Sequence, residues 1–368
     1  MARKKKFSKA LTVFLAVICL AVGCLVGYVG VAMYEAQHYQ SDEAPQTLVE
    51  GELQIHFLEL GNKYTGDCTY IKAGETDILI DAGSKTSSIP TITEYINEYV
   101  TDGKLEYVIV THAHQDHYAG FTQTNGSIFD LYEVGTIIDF AKSNQEDKGS
   151  NNMYGRYLDE RDAEVAAGAV HYTAAECIQQ NKSVFELGGG ISMTILDSYF
   201  YYNKAESEND YSVCTLFTYG EYHYLFTGDL EEEGESYLVD MNQLPKVDLY
   251  KAGHHGSKTS STAKLMATVE PKIVCVCCCA GSSEYTDNNS NQFPTQAFVN
   301  RVAPYTDQIY VTTRSVNYDE GVFESMNGNI TVVTDASGIR VICGSGDTRV
   351  LKEWEWFKEN RTWPVNGK

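Results

Sequence analysis

The stretch Tyr107–Gly120, YVIVTHAHQDHYAG, places an apolar, mostly β-branched run directly before three histidines and one aspartate. The apolar run predicts a buried strand. At a strand end, residues two apart point to the same side, so His112 and His114 are placed to share one metal ion. Asp116 and His117 follow where the chain must turn, and they are placed to face a second ion. Such ligands suit Zn²⁺ first, with Mn²⁺ or Fe²⁺ as alternatives, so the sequence predicts one or two divalent ions.

Two later segments supply ligands that such a site still lacks. Tyr222–Asp229 is a predicted strand ending in Gly-Asp, where the glycine leaves room for the carboxylate of Asp229 to approach and bridge two cations. Val247–Ser260, VDLYKAGHHGSKTS, is a predicted strand followed by the pair His254 and His255. The glycine turn and the loop of hydroxyls and lysine after this pair suit a phosphate or another anion.

The order HxHxDH, then Gly-Asp, then His-His-Gly-Ser resembles that of the metallo-β-lactamase superfamily, and in particular the extracellular hydrolase domain of the competence protein ComEC. The likeness runs from Leu53 to Ile342 and includes HFLELGNKYTGDCTYIKAGETDILIDAGS, ENDYSV, FTGDLE and KAGHHGSKTSS. The resemblance implies an α/β metallo-β-lactamase fold, a four-layer αββα sandwich, and a metal-dependent hydrolase.

The resemblance also implies six metal ligands, which all carry imidazole or carboxylate groups: His112, His114, Asp116, His117, Asp229 and His254. His112 and His114 are expected to bind one ion. Asp116, His117 and His254 are expected to bind the other, and Asp229 is expected to bridge the two. Asp81 is expected to be a buried carboxylate that orients the ligand loop.

Two positions depart from the pattern of the superfamily. Many members place a histidine before the Gly-Asp strand as a third ligand to the first metal, whereas this chain has Asn209, Asp210 and Ser212 there. The first metal site therefore has fewer nitrogen ligands. Either it keeps extra water as a ligand, or Asp210 completes it, or only the second site binds a metal ion. Phe293-Pro294 stands where the ComEC-like pattern has His-Pro, so one substrate or catalytic contact is expected to be missing.

The expected reaction is hydrolysis of a phosphodiester by metal-activated hydroxide. The predicted catalytic residues are Asp116, His255 and Lys258, and either His255 or Lys258 is expected to protonate the leaving oxygen or to clamp the phosphate. Further predicted substrate or supporting residues are Asn209, Asp210 and Ser257. The alternative, from a different class, is a non-catalytic binding or scaffold protein with a degenerate metal site.

Two kinds of phosphodiester compete as the substrate. The ComEC resemblance favours nucleic acid, and the membrane anchor described next favours a wall-linked or choline-type phosphodiester. The net charge is −22, and because the first nine residues carry five positive charges, the remainder carries −27. Such a field repels long polyanions, although a basic patch around Lys251 and Lys258 would counter it locally. No obligate protein partner is predicted.

The N-terminal segment Ala10–Met33 holds 24 residues without a charge, which is enough for a helix to cross about 30 Å of hydrocarbon. The positive-inside rule places the basic residues before it in the cytoplasm and the domain outside the cell. A cleaved signal peptide, or a lipoprotein signal ending at Cys24, is the alternative. The predicted order is a cytoplasmic basic tail (1–9), a transmembrane helix (10–33), a linker (34–51), the hydrolase domain (52–345) and a C-terminal tail (346–368).

Twelve short runs of β-branched and aromatic residues follow the linker, with five helical patterns between them. Twelve strands are too many for one open sheet, so the pattern predicts two sheets packed face to face and covered by helices. The cysteine-rich run Val274–Cys279 is predicted to be a buried strand in which cysteine acts as a small hydrophobe. The three tryptophans of the C-terminal tail either hold it against the domain or contact the membrane or a wall polymer.

Overall fold

The computed structural model describes residues 52–368, all of which belong to the unit Leu48–Lys368. The predicted basic tail, transmembrane helix and linker lie outside the described residues. Among the described residues, no helix is both long enough and apolar enough to cross a bilayer.

Sixteen strands in the described part of the chain form two eight-stranded sheets. In chain order they are β1 (Leu53–Phe57), β2 (Thr69–Ala73), β3 (Thr76–Ile80), β4 (Lys104–Val110), β5 (Glu133–Asp139), β6 (Val170–Thr173), β7 (Val184–Gly188), β8 (Ile191–Ile195), β9 (Thr215–Tyr219), β10 (Tyr222–Phe226), β11 (Leu249–Lys251), β12 (Ile273–Ala280), β13 (Ile309–Asn317), β14 (Val322–Ser325), β15 (Ile330–Asp335) and β16 (Gly338–Cys343). Sheet A has the order β16-β15-β1-β2-β3-β4-β5-β6, and sheet B has the order β14-β13-β12-β11-β10-β9-β8-β7.

The α-helices of the described residues connect these strands. They are α1 (Ile89–Ile96), α2 (Gln115–Tyr118), α3 (Ile128–Leu131), α4 (Met153–Ala167), α5 (Ala174–Gln179), α6 (Glu232–Met241), α7 (Ala263–Val269), α8 (Gln296–Val302) and α9 (Glu355–Asn360). The five helical patterns read from the sequence correspond to α1, α4, α6, α7 and α8.

Side chains of β1 show how the layers stack, because neighbouring residues of a strand point to opposite faces. Phe57 faces sheet B, where its ring stacks on Phe226 with 6.1 Å between centroids. His56 faces the other way, and its Nδ1 lies 2.8 Å from the hydroxyl of Tyr95 in α1. Sheet A therefore has helix on one face and sheet B on the other.

Strand β12 shows the same alternation on sheet B and confirms the prediction for the cysteine-rich run. Cys275 and Cys277 pack into the core shared with sheet A, whereas Val274 and Val276 pack with α7 and α8 on the outer face. All residues of β12 are buried, and burial raises the pKa of the Cys275 thiol well above its usual range. Helices on the outside of two facing sheets give the layers that the resemblance implies.

The strands that the sequence pattern missed are β6, β7, β14 and β16. These four are the edge strands of the two sheets. Their residues are mostly exposed or half-buried. They therefore lack the apolar runs by which central strands are identified.

The site is positioned by two parallel blocks, β3 to β6 in sheet A and β10 to β13 in sheet B. The carboxyl ends of parallel strands meet at one edge of a sheet, where loops converge on a crevice. Asp81 follows β3, the HxHxDH motif follows β4, Asp229 follows β10 and the His-His pair follows β11.

Candidate metal centre

The carboxylate of Asp81 fixes the loop after β4. The carboxylate of Asp81 accepts hydrogen bonds from the Thr111 amide at 2.8 Å and from the Thr111 hydroxyl at 2.7 Å. The same carboxylate lies 2.7 Å from Nδ1 of His117. Since Nδ1 is engaged, His117 directs Nε2 away from Asp81 and toward the centre of the site.

Four buried side chains bring their ligand atoms together at this edge: Asp67, His117, Asp229 and His255. One ligand atom from each lies within 4.8 Å of those of the others. Oδ2 of Asp229 lies 3.1 Å from Nε2 of His117 and 3.2 Å from Nε2 of His255. Asp67 approaches from the other side of His255, with Oδ1 at 3.3 Å from its Nδ1. We call these four residues the metal cluster.

The charges of the metal cluster hold each other in place. Burial alone would raise the pKa of Asp229, but His117 and His255 hold it well below its usual range. Burial alone would lower the pKa of each imidazole, but Asp229 in particular raises the pKa of His117 and of His255 well above its usual range. Without a cation, these imidazoles therefore take up protons to balance the carboxylates.

Several atoms of the metal cluster make no hydrogen bond of good geometry to any described residue. They are both carboxylate oxygens of Asp67, Oδ1 of Asp229, Nε2 of His117 and Nε2 of His255. Buried polar atoms without partners are uncommon in folded proteins and call for an explanation such as an ion. Two imidazole nitrogens and two carboxylates are a donor set that suits Zn²⁺ or a similar divalent cation. The residues present therefore fit a metal ion.

The His-His pair presents its two rings to different partners. His255 is buried, and its Nε2 lies 3.3 Å from Oδ2 of Asp116 in addition to its contact with Asp229. His254, the predicted ligand, points to another group: its Nδ1 lies 3.1 Å from the hydroxyl of Thr259 and 3.3 Å from a carboxylate oxygen of Glu231. The geometry thus favours His255 over His254 for the second ion.

The remaining predicted ligands lie beside the metal cluster. Nε2 of His112 and Nδ1 of His114 are 3.0 Å apart, and the rings of His112 and His117 are 4.2 Å apart between centroids. Ser212, from the segment that lacks the usual histidine, lies 3.4 Å from Nδ1 of His112 and accepts a hydrogen bond from the Asp229 amide. His112 and His114 therefore face each other, and Ser212 supplies a hydroxyl where many superfamily members have a histidine.

Glycine at position 228 is required for a reason that differs from the predicted one. Its φ is +52°, and a Cβ there would lie 2.8 Å from Cβ of Ser212 and 3.1 Å from Cβ of Thr111. The glycine therefore lets β10 approach the two neighbouring segments, and through them it places Asp229.

A cavity of about 490 Å³ opens onto the metal cluster. His114, Asp116, Asp229 and both residues of the His-His pair line it, together with Ser84, Lys85, Gln115, Ser257, Glu284, Tyr285 and Phe293. The Tyr285 hydroxyl donates a 2.7 Å hydrogen bond to Oδ2 of Asp116. The cavity therefore has an acidic, imidazole-rich floor and one wall that carries aromatic rings.

Four other predicted residues lie at different depths around this cavity. Ser257 reaches it, whereas Lys258 is not among the lining residues and donates instead to Oδ1 of Asn291 at 3.0 Å. Asn209 lies beside Glu231, with 3.3 Å between the amide nitrogen and the carboxylate. Asp210 accepts a hydrogen bond from the Glu231 amide, and burial raises its pKa to about 6. Neither belongs to the metal cluster.

Two residues of the site were missed in the sequence. Asp67 stands alone in a Gly-Asp-Cys sequence, which carries no ligand spacing. Lys251 was assigned to a basic patch, but it is buried: its ammonium contacts Asp67 and lies 3.8 Å from Oδ1 of Asp229. Its position as the last residue of the apolar strand β11 was the available signal, because a charge there is rarely buried without a partner.

Comparison with known proteins gives a family match for the centre of this site. Residues 61–123 match the model of the metallo-beta-lactamase superfamily, a segment that contains Asp67, Asp81 and the HxHxDH motif. The chain is 29% identical over 103 residues to ComE operon protein 3 of Bacillus subtilis (strain 168), and 32% identical over 87 residues to Recombination protein 2 of Haemophilus influenzae. Residues 61–123 thus match the metallo-beta-lactamase superfamily, and the two alignments support the resemblance to ComEC-like proteins.

The extent of these matches is limited. The first alignment covers 27% of this chain and 13% of the relative, and the second covers 24% and 10%. Among solved structures, the metallo-beta-lactamase fold protein YhfI from Bacillus subtilis matches with a TM-score of 0.42 and 11% identity. That match covers 75% of this chain and all of the other.

Proposed function

We propose that this chain is a metal-dependent phosphodiesterase whose ion or ions bind at the metal cluster, with Asp116 beside them. The observation that carries the proposal is a set of buried ligand atoms on Asp67, His117, Asp229 and His255 that make no hydrogen bond of good geometry. They lie beside a cavity of about 490 Å³ that Asp229 and His255 line. A divalent ion bound there supplies Lewis acidity, which activates water and offsets the charge that develops on phosphoryl oxygens.

In this proposal, His254 supplies the proton for the leaving oxygen, in place of His255 or Lys258. His254 lines the cavity, and its Nδ1 lies 3.3 Å from a carboxylate oxygen of Glu231. Burial would raise the pKa of Glu231, but His254 and Thr259 lower it to about 2, so Glu231 stays ionised. An ionised carboxylate fixes the orientation of the ring toward the cavity.

A phosphodiester fits the polar groups of the cavity better than a β-lactam does. Lys85 and the hydroxyls of Ser84 and Ser257 line it, so one cation and two hydroxyls face a substrate anion. Lys85 thus takes the place that the sequence suggested for Lys258. The strongly acidic remainder of the chain favours a small or wall-linked phosphodiester over long DNA.

The proposal includes an extracellular location, with Ala10–Met33 as a membrane anchor. Its support is the basic cluster before this apolar stretch and the acidic residues after it. Protease added to intact cells should cleave the large domain. Protection of that domain in intact cells, with cleavage after lysis, would contradict the location.

The test of the activity uses the purified full chain, stripped with a chelator and reloaded with Zn²⁺ or Mn²⁺. We expect metal-dependent hydrolysis of a small aryl phosphodiester or a phosphorylcholine ester, slower cleavage of single-stranded DNA, and no turnover of a β-lactam or a thioester. His223→Ala is the matched control for site variants, because His223 lies in β10 and contacts Thr218 rather than the metal cluster. Bound metal without turnover of any substrate would favour the scaffold alternative.

A further inference from the structure

The aromatic wall of the cavity belongs to a loop, 281–294, that follows β12. This loop carries Glu284, Tyr285 and Phe293 to the cavity. A hydrogen bond of 2.9 Å from the Gly281 amide to the Phe293 carbonyl closes its base. Between these ends the described chain contains no strand and only a short 3-10 turn at Asn289–Asn291. Most of its backbone groups must therefore find partners outside regular structure.

The C-terminal tail supplies those partners through Arg361. Its guanidinium donates from Nε to the Pro294 carbonyl at 2.9 Å and from Nη2 to the carbonyls of Asn289 at 2.9 Å and Gln292 at 2.7 Å. Nη1 donates to Oδ1 of Asn289 at 2.9 Å. One planar group therefore holds three residues of the loop, in a geometry that lysine cannot reproduce.

The ring of Trp356 in α9 also packs against the Arg361 guanidinium. The charged carbon of Arg361 lies 5.2 Å from the centroid of the Trp356 ring, and both side chains are buried. The same ring packs against Gly281, where it leaves no room for a Cβ. The tryptophan-containing tail thus lies against the domain and contacts both the base and the far side of the loop.

We propose that Arg361 is a positioning residue of the substrate site. It holds the loop 281–294 in place, and this loop forms the cavity wall that recognises the group attached to the phosphate. This inference rests on the proposed function for the class of substrate and deepens it. The rings of Tyr285 and Phe293 lie 5.8 Å apart, and the Tyr285 side chain is 55% exposed. An open aromatic surface beside the metal cluster favours esters with a planar or apolar substituent.

The test compares Arg361→Met with Arg361→Lys and Asn289→Ala in the full, metal-loaded chain. Arg361→Met keeps an apolar stem against Trp356 but removes every hydrogen bond to the loop. We expect it to raise KM for an aryl phosphodiester about tenfold, with kcat and metal content near those of the wild type, because a displaced wall weakens positioning. Arg361→Lys should recover part of the loss. Asn289→Ala, an exposed and milder change, should raise KM less.

Hydrogen exchange of the loop amides tests the positioning role of Arg361 without any measurement of turnover. In Arg361→Met, exchange should accelerate in 282–293 and stay unchanged in the strands that hold the metal cluster. The matched control is Arg349→Lys, because the Arg349 guanidinium stacks on Trp354 in the same tail but donates to Asp347 and not to the loop. Unchanged loop exchange in Arg361→Met, or an equal change in the control, would overturn the positioning role. Accelerated loop exchange in a chain that hydrolyses no phosphodiester would keep the role and reject only the proposed function.

Discussion

Two clusters of polar side chains lie at the carboxyl ends of neighbouring strands. Both contain carboxylate and imidazole groups, but these groups are hydrogen-bonded well in one cluster and poorly in the other. The Asp139 cluster comprises Asp139, Tyr157, Arg161 and His171. Asp139 ends β5, and its carboxylate accepts from the Tyr157 hydroxyl at 2.9 Å and Nη1 of Arg161 at 3.0 Å, and lies 2.8 Å from Nε2 of His171. In the metal cluster, by contrast, carboxylate and imidazole atoms lie close together without forming good hydrogen bonds.

Such a difference is expected between a structural cluster and a metal-binding one. Both clusters contain a buried aspartate beside a histidine, so residue type does not distinguish them. What distinguishes them is the hydrogen-bond geometry of the carboxylates. Asp139 is hydrogen-bonded through both of its carboxylate oxygens. Asp67 and Asp229 lie within ion-pair distance of Lys251, yet the oxygens of Asp67 and Oδ1 of Asp229 make no hydrogen bond of good geometry. A satisfied carboxylate contributes to folding, whereas an unsatisfied one leaves ligand capacity for an ion.

The strongest test of this contrast is Asp229→Ala. Because Asp229 contacts both imidazoles of the metal cluster, its loss should remove bound metal and lower the phosphodiesterase rate about a thousandfold or more. The metal-free variant should still unfold cooperatively, because loss of the ligand leaves the core contacts of the strands intact. Metal content by emission spectrometry, with calorimetry of both metal-free proteins, measures this, and an unchanged metal content would break the comparison.

The His-His pair gives a second test, in which adjacent residues have different roles. His255→Ala should weaken metal binding about a hundredfold, because it removes a ligand. His254→Ala should keep the metal and lower kcat about a hundredfold, because it removes only the proton donor. Chelator titrations and rates measured on both variants decide this, and metal loss in His254→Ala alone would restore the ligand set implied by the sequence.

For the Asp139 cluster, the expected effects are reversed. Asp139→Ala removes the acceptor of the Tyr157 hydroxyl and of Nη1 of Arg161, whose guanidinium keeps only its bonds to Asp162. This should cost about 3 kcal/mol of unfolding free energy. Metal content and rate should stay close to the wild type. Urea unfolding and metal analysis check both statements, and a loss of metal without a loss of stability would show that this cluster is also functional.

The smallest effect concerns Glu235, a buried carboxyl whose hydrogen bonds offset only part of the cost of its burial. It accepts from the Ser261 and Thr262 amides, yet burial raises its pKa to about 7. Since the folded state holds this proton above the unfolded pKa, stability should fall as the pH rises from about 4.5 to 7, with a slope of at most about 1.4 kcal/mol per pH unit. Glu235→Gln should flatten the profile of urea unfolding against pH. An identical slope in both proteins would show that this carboxyl is not the cause.

The sequence predicted the central strands because they leave a periodic signal, and it placed the HxHxDH motif at the end of β4. It assigned His254 as the ligand of the pair, whereas the structure brings His255 to the metal cluster, and both residues adopt left-handed φ values, of 45° and 54°. Alternation along a strand does not apply to such a turn. It also missed Asp67, a lone aspartate that acquires its role only when β2 is placed beside the loop after β4, where its amide bonds to the Asp116 carbonyl. Such pairings depend on tertiary structure rather than on local spacing.

The position of β1 in sheet A controls when the domain can fold. Strand β1 lies between β2 and β15, so Leu53 pairs with Ala73 on one side and with Thr334 on the other. The second pairing joins residues about 280 positions apart, which places this closure late and makes it slow relative to local pairing. During synthesis, the hairpin of β1 and β2 therefore presents an open edge until β15 emerges. A chain truncated before Ile330 should keep that edge and aggregate, even though every residue of the metal cluster is present.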